Sequence, residues 1–203
     1  MKLVCYNIHR GTDEFKKVTL FQLIRYLKCL DYDVICIQEV LYFQFILMKM
    51  ILKMDGVFGL HVNKKMMKFG ICILSKNKIS NSSHVLLTSK KEQRGLLSID
   101  VDNKVIINTH LGLDFEERQI QISEILNFTK VQHKDTVICG DFNEKNISLD
   151  YYIDAAQYFH KDFEPTFKTS RIDYVFVNKE INIKSYEVDK VFYSDHFPII
   201  VEI

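Results

Sequence analysis

With 203 residues, 47% of them hydrophobic, the chain can bury a full core and is expected to form one domain over residues 1–203. Its 27 lysines and arginines stand against 26 acids, a net charge of +1, which excludes the basic excess of a dedicated duplex-coating protein but leaves room for a local basic groove. Five cysteines, odd in number and without paired zinc-type spacing, read as small core hydrophobes in a reducing compartment rather than as disulfides or a structural zinc site.

In chain order, the first element is an apolar strand, Leu3 to Ile8, with no leader pattern ahead of it, so a cytoplasmic location is expected. Leu20, Leu23, Ile24 and Leu27 recur at helical spacing, and Val34 to Gln38 is the next strand. Leu41 to Met54, the densest apolar stretch, carries Gln44, Lys49 and Lys53 and falls short of the ~20 residues of a membrane span. It reads as a core helix, with no stable membrane insertion; a membrane-surface role for its Phe, Leu and Met face is the sharper alternative. Gly70 to Leu74 follows as a strand, and the segments 77–83 and 88–94 are the most loop-like of the chain. In the strand Leu96 to Val101, Ile99 and Val101 alternate with Asp100 and Asp102, as in a strand wet on one face, whereas Val105 to Thr109 looks like a sheet interior. A second helical pattern at Ile122, Ile125 and Leu126 precedes strands at Thr136 to Cys139, Tyr174 to Val177 and Ile199 to Ile203. This is an α/β chain, and two sheets packed face to face with helices outside would use all of its elements. His61, His84, His133 and His160 have no motif around them and are expected on the surface or in turns.

Polar residues punctuate these strands in a repeated manner. Asn7, Glu39 and His110 each end a strand, Asp141 and Asn143 follow one, and Asp173 opens one; Ser194-Asp195-His196-Phe197-Pro198 lies just before the last. Strand ends are where α/β folds place ligands, so the shared position argues for convergence on one site. Carboxylates and carboxamides without thiolates favour a hard cation bound through oxygen, Mg²⁺ or Mn²⁺, with Glu39 as ligand and Asn7 beside it. Such an ion suits phosphate chemistry. Asp141 and Asn143, two apart, would point the same way in an extended segment, one accepting a proton and the other holding a phosphoryl oxygen. Gly140 permits a tight backbone there, although Gly-Asp-x-Asn also suits a plain turn. His196 needs a partner to be charged near neutral pH, and Asp173 is the choice; Asp195 would point to the opposite face, towards the metal. His9 and Arg10 either contact phosphate or leaving group, or belong to a surface turn ending at Gly11.

Together, Tyr6-Asn7-Ile8, Gln38-Glu39-Val40, Thr109-His110-Leu111, Gly140-Asp141-Phe142-Asn143, Arg171-Ile172-Asp173-Tyr174 and Ser194 to Pro198, in this order, resemble the motifs of the endonuclease/exonuclease/phosphatase family of metal-dependent phosphoesterases. Gly70 to Ser75 and Arg118-x-x-Gln121 add to the likeness. The resemblance implies a four-layer α/β sandwich, two packed central mixed sheets flanked by helices, with the site at one edge. It implies that Glu39, with Asn7 and Asp195, serves the metal and that Asp141 orients or deprotonates the attacking water. Asn143, His110 and Arg94 would hold the phosphate, and His196, paired with Asp173, would stabilise the pentacovalent oxygens.

Thr109-His110-Leu111-Gly112 departs from the tyrosine followed by Val-Pro-Asn of apurinic endonucleases, which disfavours abasic-site cleavage. Lys64, Lys65 and Lys68 are the one candidate for the basic phosphate-reading segment of the inositol-phosphatase branch, with a solvated face as the ordinary reading. The expected activity is that of a phosphodiesterase or nuclease acting as a monomer on a phosphoester, nucleic acid included. The alternatives are a small-molecule or lipid phosphatase or phospholipase of the same family, and a binding module that has lost its chemistry. Short loops slightly favour a small or single-stranded substrate.

Overall fold

The computed structural model describes residues 1–64, 67–132 and 134–203, so Lys65 and His133 lie outside the described residues. In chain order the elements are Lys2–Asn7 (β1), Leu20–Cys29 (α1), Val34–Leu41 (β2), Tyr42–Leu52 (α2), Asp55–Lys64 (β3), Met67–Ser75 (β4), Asn81–Leu87 (β5) and Arg94–Val101 (β6). They continue with Lys104–His110 (β7), Phe115–Thr129 (α3), Asp135–Asp141 (β8), Tyr152–Asp154 (β9), Ala155–Tyr158 (α4), Asp173–Asn178 (β10), Ser185–Val188 (β11) and Ile199–Glu202 (β12).

The strands form two six-stranded mixed sheets, ordered β11-β12-β1-β2-β4-β3 and β5-β6-β7-β8-β10-β9. Each holds one parallel pair, β1 with β2 and β7 with β8, joined by a helix, and antiparallel partners on either side. Alternation along each strand sorts side chains into three cores. Leu3, Cys5, Cys36 and Ile73 meet Ile99, Ile106, Cys139 and Val175 between the sheets. Val4, Tyr6, Ile35 and Ile37 pack outward on Leu23, Leu27 and Met48 of α1 and α2, and Ile107, Ile138 and Phe176 share the third core with Ile125 of α3. Strands covered on both faces must be apolar throughout, which is why their runs were legible. Four cysteines are buried, Cys29 is exposed, and all five are free.

Three expectations need correction. The segment 77–83 is not all loop, because Asn81 opens β5, a polar edge strand held by its antiparallel pairing with β6 rather than by an apolar pattern. The apolar stretch after Leu41 is an outer-layer helix, not a core one: α2 buries Gln44, Phe45 and Met48 while Phe43 and Met50 are 61% and 69% exposed. His61 is not a surface residue; on β3 it is buried and stacked on the His84 ring, with neither ring nitrogen partnered among the described residues. His84 is exposed on β5 and His160 in a turn. No helix among the described residues is long and apolar enough to cross a membrane.

Candidate active site

Strand register brings the polar ends together. Parallel pairing sets Asn7 opposite Gln38, one residue before Glu39, and His110 opposite Asp141. The antiparallel partners start where the parallel strands end: Asp173 faces Asp141, and Ile199 faces Cys5. The segment before β12 therefore returns to Asn7, whose carbonyl accepts a hydrogen bond from Ser194 Oγ at 2.8 Å. A cleft of about 310 Å³ opens at this edge, lined by Glu39, Arg94, His110, Asp141, Asn143, Asp195 and His196 together with His9 and Arg10.

The floor is buried and tightly bonded. His196 Nδ1 lies 2.9 Å from Asp173 Oδ2, and its Nε2 is 3.7 Å from Asp141 Oδ2. The same Asp141 oxygen accepts from Asn7 Nδ2 at 2.9 Å and lies 3.5 Å from His110 Nε2. Burial, reinforced by the charge of Asp173, raises the Asp141 carboxyl to about 7, against the opposing pull of His196, the Asn143 amide and Asn7. Burial also disfavours charge on His196, but Asp173 and Asp141 outweigh it and lift the imidazole to about 10. His110 moves the other way, held well below the ordinary histidine range by burial and then by Arg94. Arg94 Nη1, also paired with Glu92 Oε1 at 2.8 Å, donates to His110 Nδ1 at 3.2 Å, so the proton of a neutral His110 sits on Nε2, facing Asp141.

Backbone conformation aims several of these groups. Glu39 has a φ of 52° within a register shift of the β2–β4 pairing between Ile37 and Val40, a bulge that takes its side chain out of the strand's alternation. Gly140, at φ 149°, passes so close to Thr109 that a Cβ would collide with its carbonyl. Gly140 to Asn143 forms the turn: Asn143 is not extended but left-handed, φ 52°, with its amide donating to Asp141 Oδ1 at 2.9 Å and its Nδ2 to Leu111 O at 2.9 Å. It reaches the cleft by a turn rather than by strand alternation. Asp195, in a bend, lines the same cleft as His196 instead of the opposite face.

The rim is more open. Glu39 Oε2 lies 3.7 Å from Arg10 Nε, and Asp195 Oδ1 lies 3.5 Å from His9 Nδ1. Both carboxylates thus face a nitrogen-bearing side chain without close contact, and Asn7 Oδ1 accepts from the His9 amide at 3.0 Å; oxygens of this kind suit a hard divalent cation. A second group of possible ligands is Asp141, Asp173 and His196, with ligand atoms within 4.8 Å of one another. Their mutual bonds make a metal there compete with the His196–Asp173 pair.

Several participants were missed or left open in the sequence. His9 and Arg10 sit in a left-handed turn, φ 43° and 56°, that lines the cleft while Arg10 stays half exposed. The Phe167 ring packs 4.6 Å from that of His196, in a hairpin carrying no motif. Gln38 Nε2 donates to Asn108 Oδ1 at 2.6 Å, and Asn108 Nδ2 donates to the carbonyls of Ile37 and Cys72 at 2.9 Å each, a fully buried clamp between the sheets beneath the site. Two amides inside apolar runs were the available signal. Arg171 is drawn away from the cleft by Asp154, at 3.2 and 2.7 Å, and Arg118 holds Glu144 at 2.6 Å.

The molecule is thus a two-sheet α/β sandwich with an acid- and imidazole-lined cleft at one sheet edge. The model of the Endonuclease/Exonuclease/phosphatase family matches residues 4–196, and the chain belongs to that family of phosphoesterases. Comparison with curated proteins finds no match. Among solved structures, an endonuclease/exonuclease/phosphatase from Beutenbergia cavernae superposes with a TM-score of 0.81 at 18% identity over 99% of this chain and 70% of that one. A mannosyl-6-phosphatase from Bacteroides thetaiotaomicron gives 0.78 at 16% identity, covering 100% and 98% of the two chains. The human Nocturnin catalytic domain with a bound sulfate anion gives 0.77 at 19% identity, covering 99% and 92%. At these identities the likeness shows the fold.

Proposed function

We propose that residues 1–203 form one monomeric catalytic domain that hydrolyses phosphodiester bonds by in-line attack of water, with Mg²⁺ or Mn²⁺. The observation that carries this reading is the floor geometry: a buried Asp141 raised towards neutrality beside a His196 held cationic by Asp173. Asp141 Oδ2 takes the proton of the attacking water, a role favoured when a base titrates near the working pH. His196, fixed by Asp173 and covered by Phe167, donates to the phosphoryl oxygens as charge builds on them. Neutral His110, Asn143 and Arg94 hold and orient the phosphate. Glu39, with Asp195 and Asn7, holds the cation, which when bound offsets the negative charge of the phosphoryl group. The buried free thiols support work in a reducing compartment such as the cytoplasm.

A second reading, a phosphatase or phospholipase acting on an apolar ester, is favoured by Leu113, which lines the cleft while 77% exposed. The test is divalent-dependent turnover of plasmid DNA, single-stranded RNA, nitrophenyl mono- and diesters, and sphingomyelin. Cleavage of diester or nucleic acid that disappears in His196→Ala is expected. Turnover confined to the monoester or lipid would move the assignment to the second reading, and equal turnover by His196→Ala would overturn the mechanism.

A further inference from the structure

A second groove lies along the chain beyond Glu39. β2 runs on through Val40 and Leu41 into α2, and at this corner, between the start of α2 and the ends of β3 and β4, lies this groove of about 410 Å³. Arg10 lies on the side of the cleft towards this groove: it lines the cleft beside Glu39, and its guanidinium lies 5.3 Å over the ring of Phe69, the β4 residue paired with Leu41 of the groove wall.

The groove combines two kinds of surface. Among the described residues, its charged lining residues, Lys64 and Lys68, are both cationic and its wall contains no acid. Neither lysine has a carboxylate within ion-pair distance among the described residues, unlike Lys49, Lys76, Lys90, Lys134 and Lys184. The same groove is lined by two exposed rings, Tyr42 at 43% and Phe43 at 61%. Tyr42 is held rigidly, edge-on to Phe58 at 5.3 Å and tilted against Phe45 at 6.1 Å, with Lys68 Nζ 5.5 Å over its ring. The groove also lies at the N-terminal end of α2, where the helix dipole adds to the positive field. A merely solvated lysine face would not need fixed exposed rings, nor an arginine packed one strand pair away at the rim of the cleft.

We infer that this groove is a substrate subsite, in which a single-stranded nucleic acid continues from the scissile phosphate past Arg10, its next phosphates meeting Lys64 and Lys68 and a base stacking on Tyr42 or Phe43. The inference rests on the phosphodiesterase reading above and deepens it. Cationic groups interleaved with aromatic rings are how single strands are held without sequence preference, and a duplex keeps its base faces stacked and unavailable to such rings.

The test uses the full chain and the double variant Lys64→Glu/Lys68→Glu, with Phe43→Ala as a second variant that leaves the charge unchanged. Four probes are compared: bis(nitrophenyl) phosphate, a fluorescein-labelled oligothymidylate, the same oligonucleotide as a duplex, and phosphatidylcholine/phosphatidylserine vesicles. Binding of the oligonucleotide is followed by anisotropy in EDTA, so that it is read without turnover. The double variant is expected to bind oligothymidylate roughly tenfold more weakly with a shallower salt dependence, to lose kcat/KM on it mainly through KM, and to hydrolyse the small diester as wild type does. Phe43→Ala is expected to weaken single-strand binding without changing the salt slope. Unchanged oligonucleotide affinity in both variants would overturn the subsite, as would equal losses on duplex, or variant-sensitive binding confined to vesicles. Failure of the wild type on every ester would instead overturn the hydrolase reading, while the anisotropy would still decide the groove.

Discussion

The floor and the rim of the cleft are built on opposite principles. On the floor, Asp141, Asp173, His110 and His196 are each 5% exposed or less; burial and the charge of Asp173 move Asp141 up, burial and Arg94 move His110 down, and Asp173 with Asp141 moves His196 up against its burial. On the rim, Glu39 and Asp195 keep about a fifth of their side chains open and face Arg10 and His9 from beyond 3.4 Å. Proton chemistry needs the first environment, where water is excluded and partners are fixed. Taking up a cation and a substrate needs the second, where the cost of leaving water is small.

The sharpest way to break this contrast is Asp141→Asn, which keeps the shape of the floor and removes the proposed base. Steady-state turnover should fall by roughly 10³-fold with an unchanged melting temperature. Glu39→Gln acts on the rim and should fall by roughly 10²-fold, with the loss partly recovered at high divalent concentration, a response that Asp141→Asn should not give; a metal titration of both variants checks this. Beneath both regions, Asn108→Leu removes the clamp between the sheets and strands the Gln38 amide and two carbonyls. A loss of about 2 kcal/mol is expected in urea denaturation.

The smallest expected effect compares two buried imidazoles. His196 is raised to about 10 by its carboxylate partners, whereas burial, helped by His84 and Arg94, pushes His61 down to about 3. Between pH 3 and the unfolded value of 6.5 the unfolded chain therefore binds a proton at His61 that the fold does not. That contribution lowers stability as pH falls through this window, by about 1.4 kcal/mol per pH unit. His61→Leu should flatten the fall between pH 6 and pH 5 by about that amount, measured as the difference from wild type in denaturant unfolding. An identical slope in both proteins would place a proton or a partner on His61 that the geometry does not show.

Legibility followed the physics of each element. Val105 to Thr109 and Val34 to Gln38 could be read because strands covered on both faces must be apolar. β5 and the edge strand β3 could not, because edge strands are held by pairing more than by composition. Phe167 and the orientation of Arg10 carried no local signal, since a hairpin ring and a left-handed turn acquire a role only through what packs against them.

The sequence by itself determined the α/β class, the polar residues at strand ends and the family they belong to, because those properties reside in residue type and local spacing. The tertiary structure alone decided that Asn143 reaches the cleft by a left-handed turn, that Glu39 is aimed by a bulge, and that His196 and His61 are perturbed in opposite directions. Each of those depends on register and on which charges share a buried space, and both are set by contacts between residues far apart in the chain.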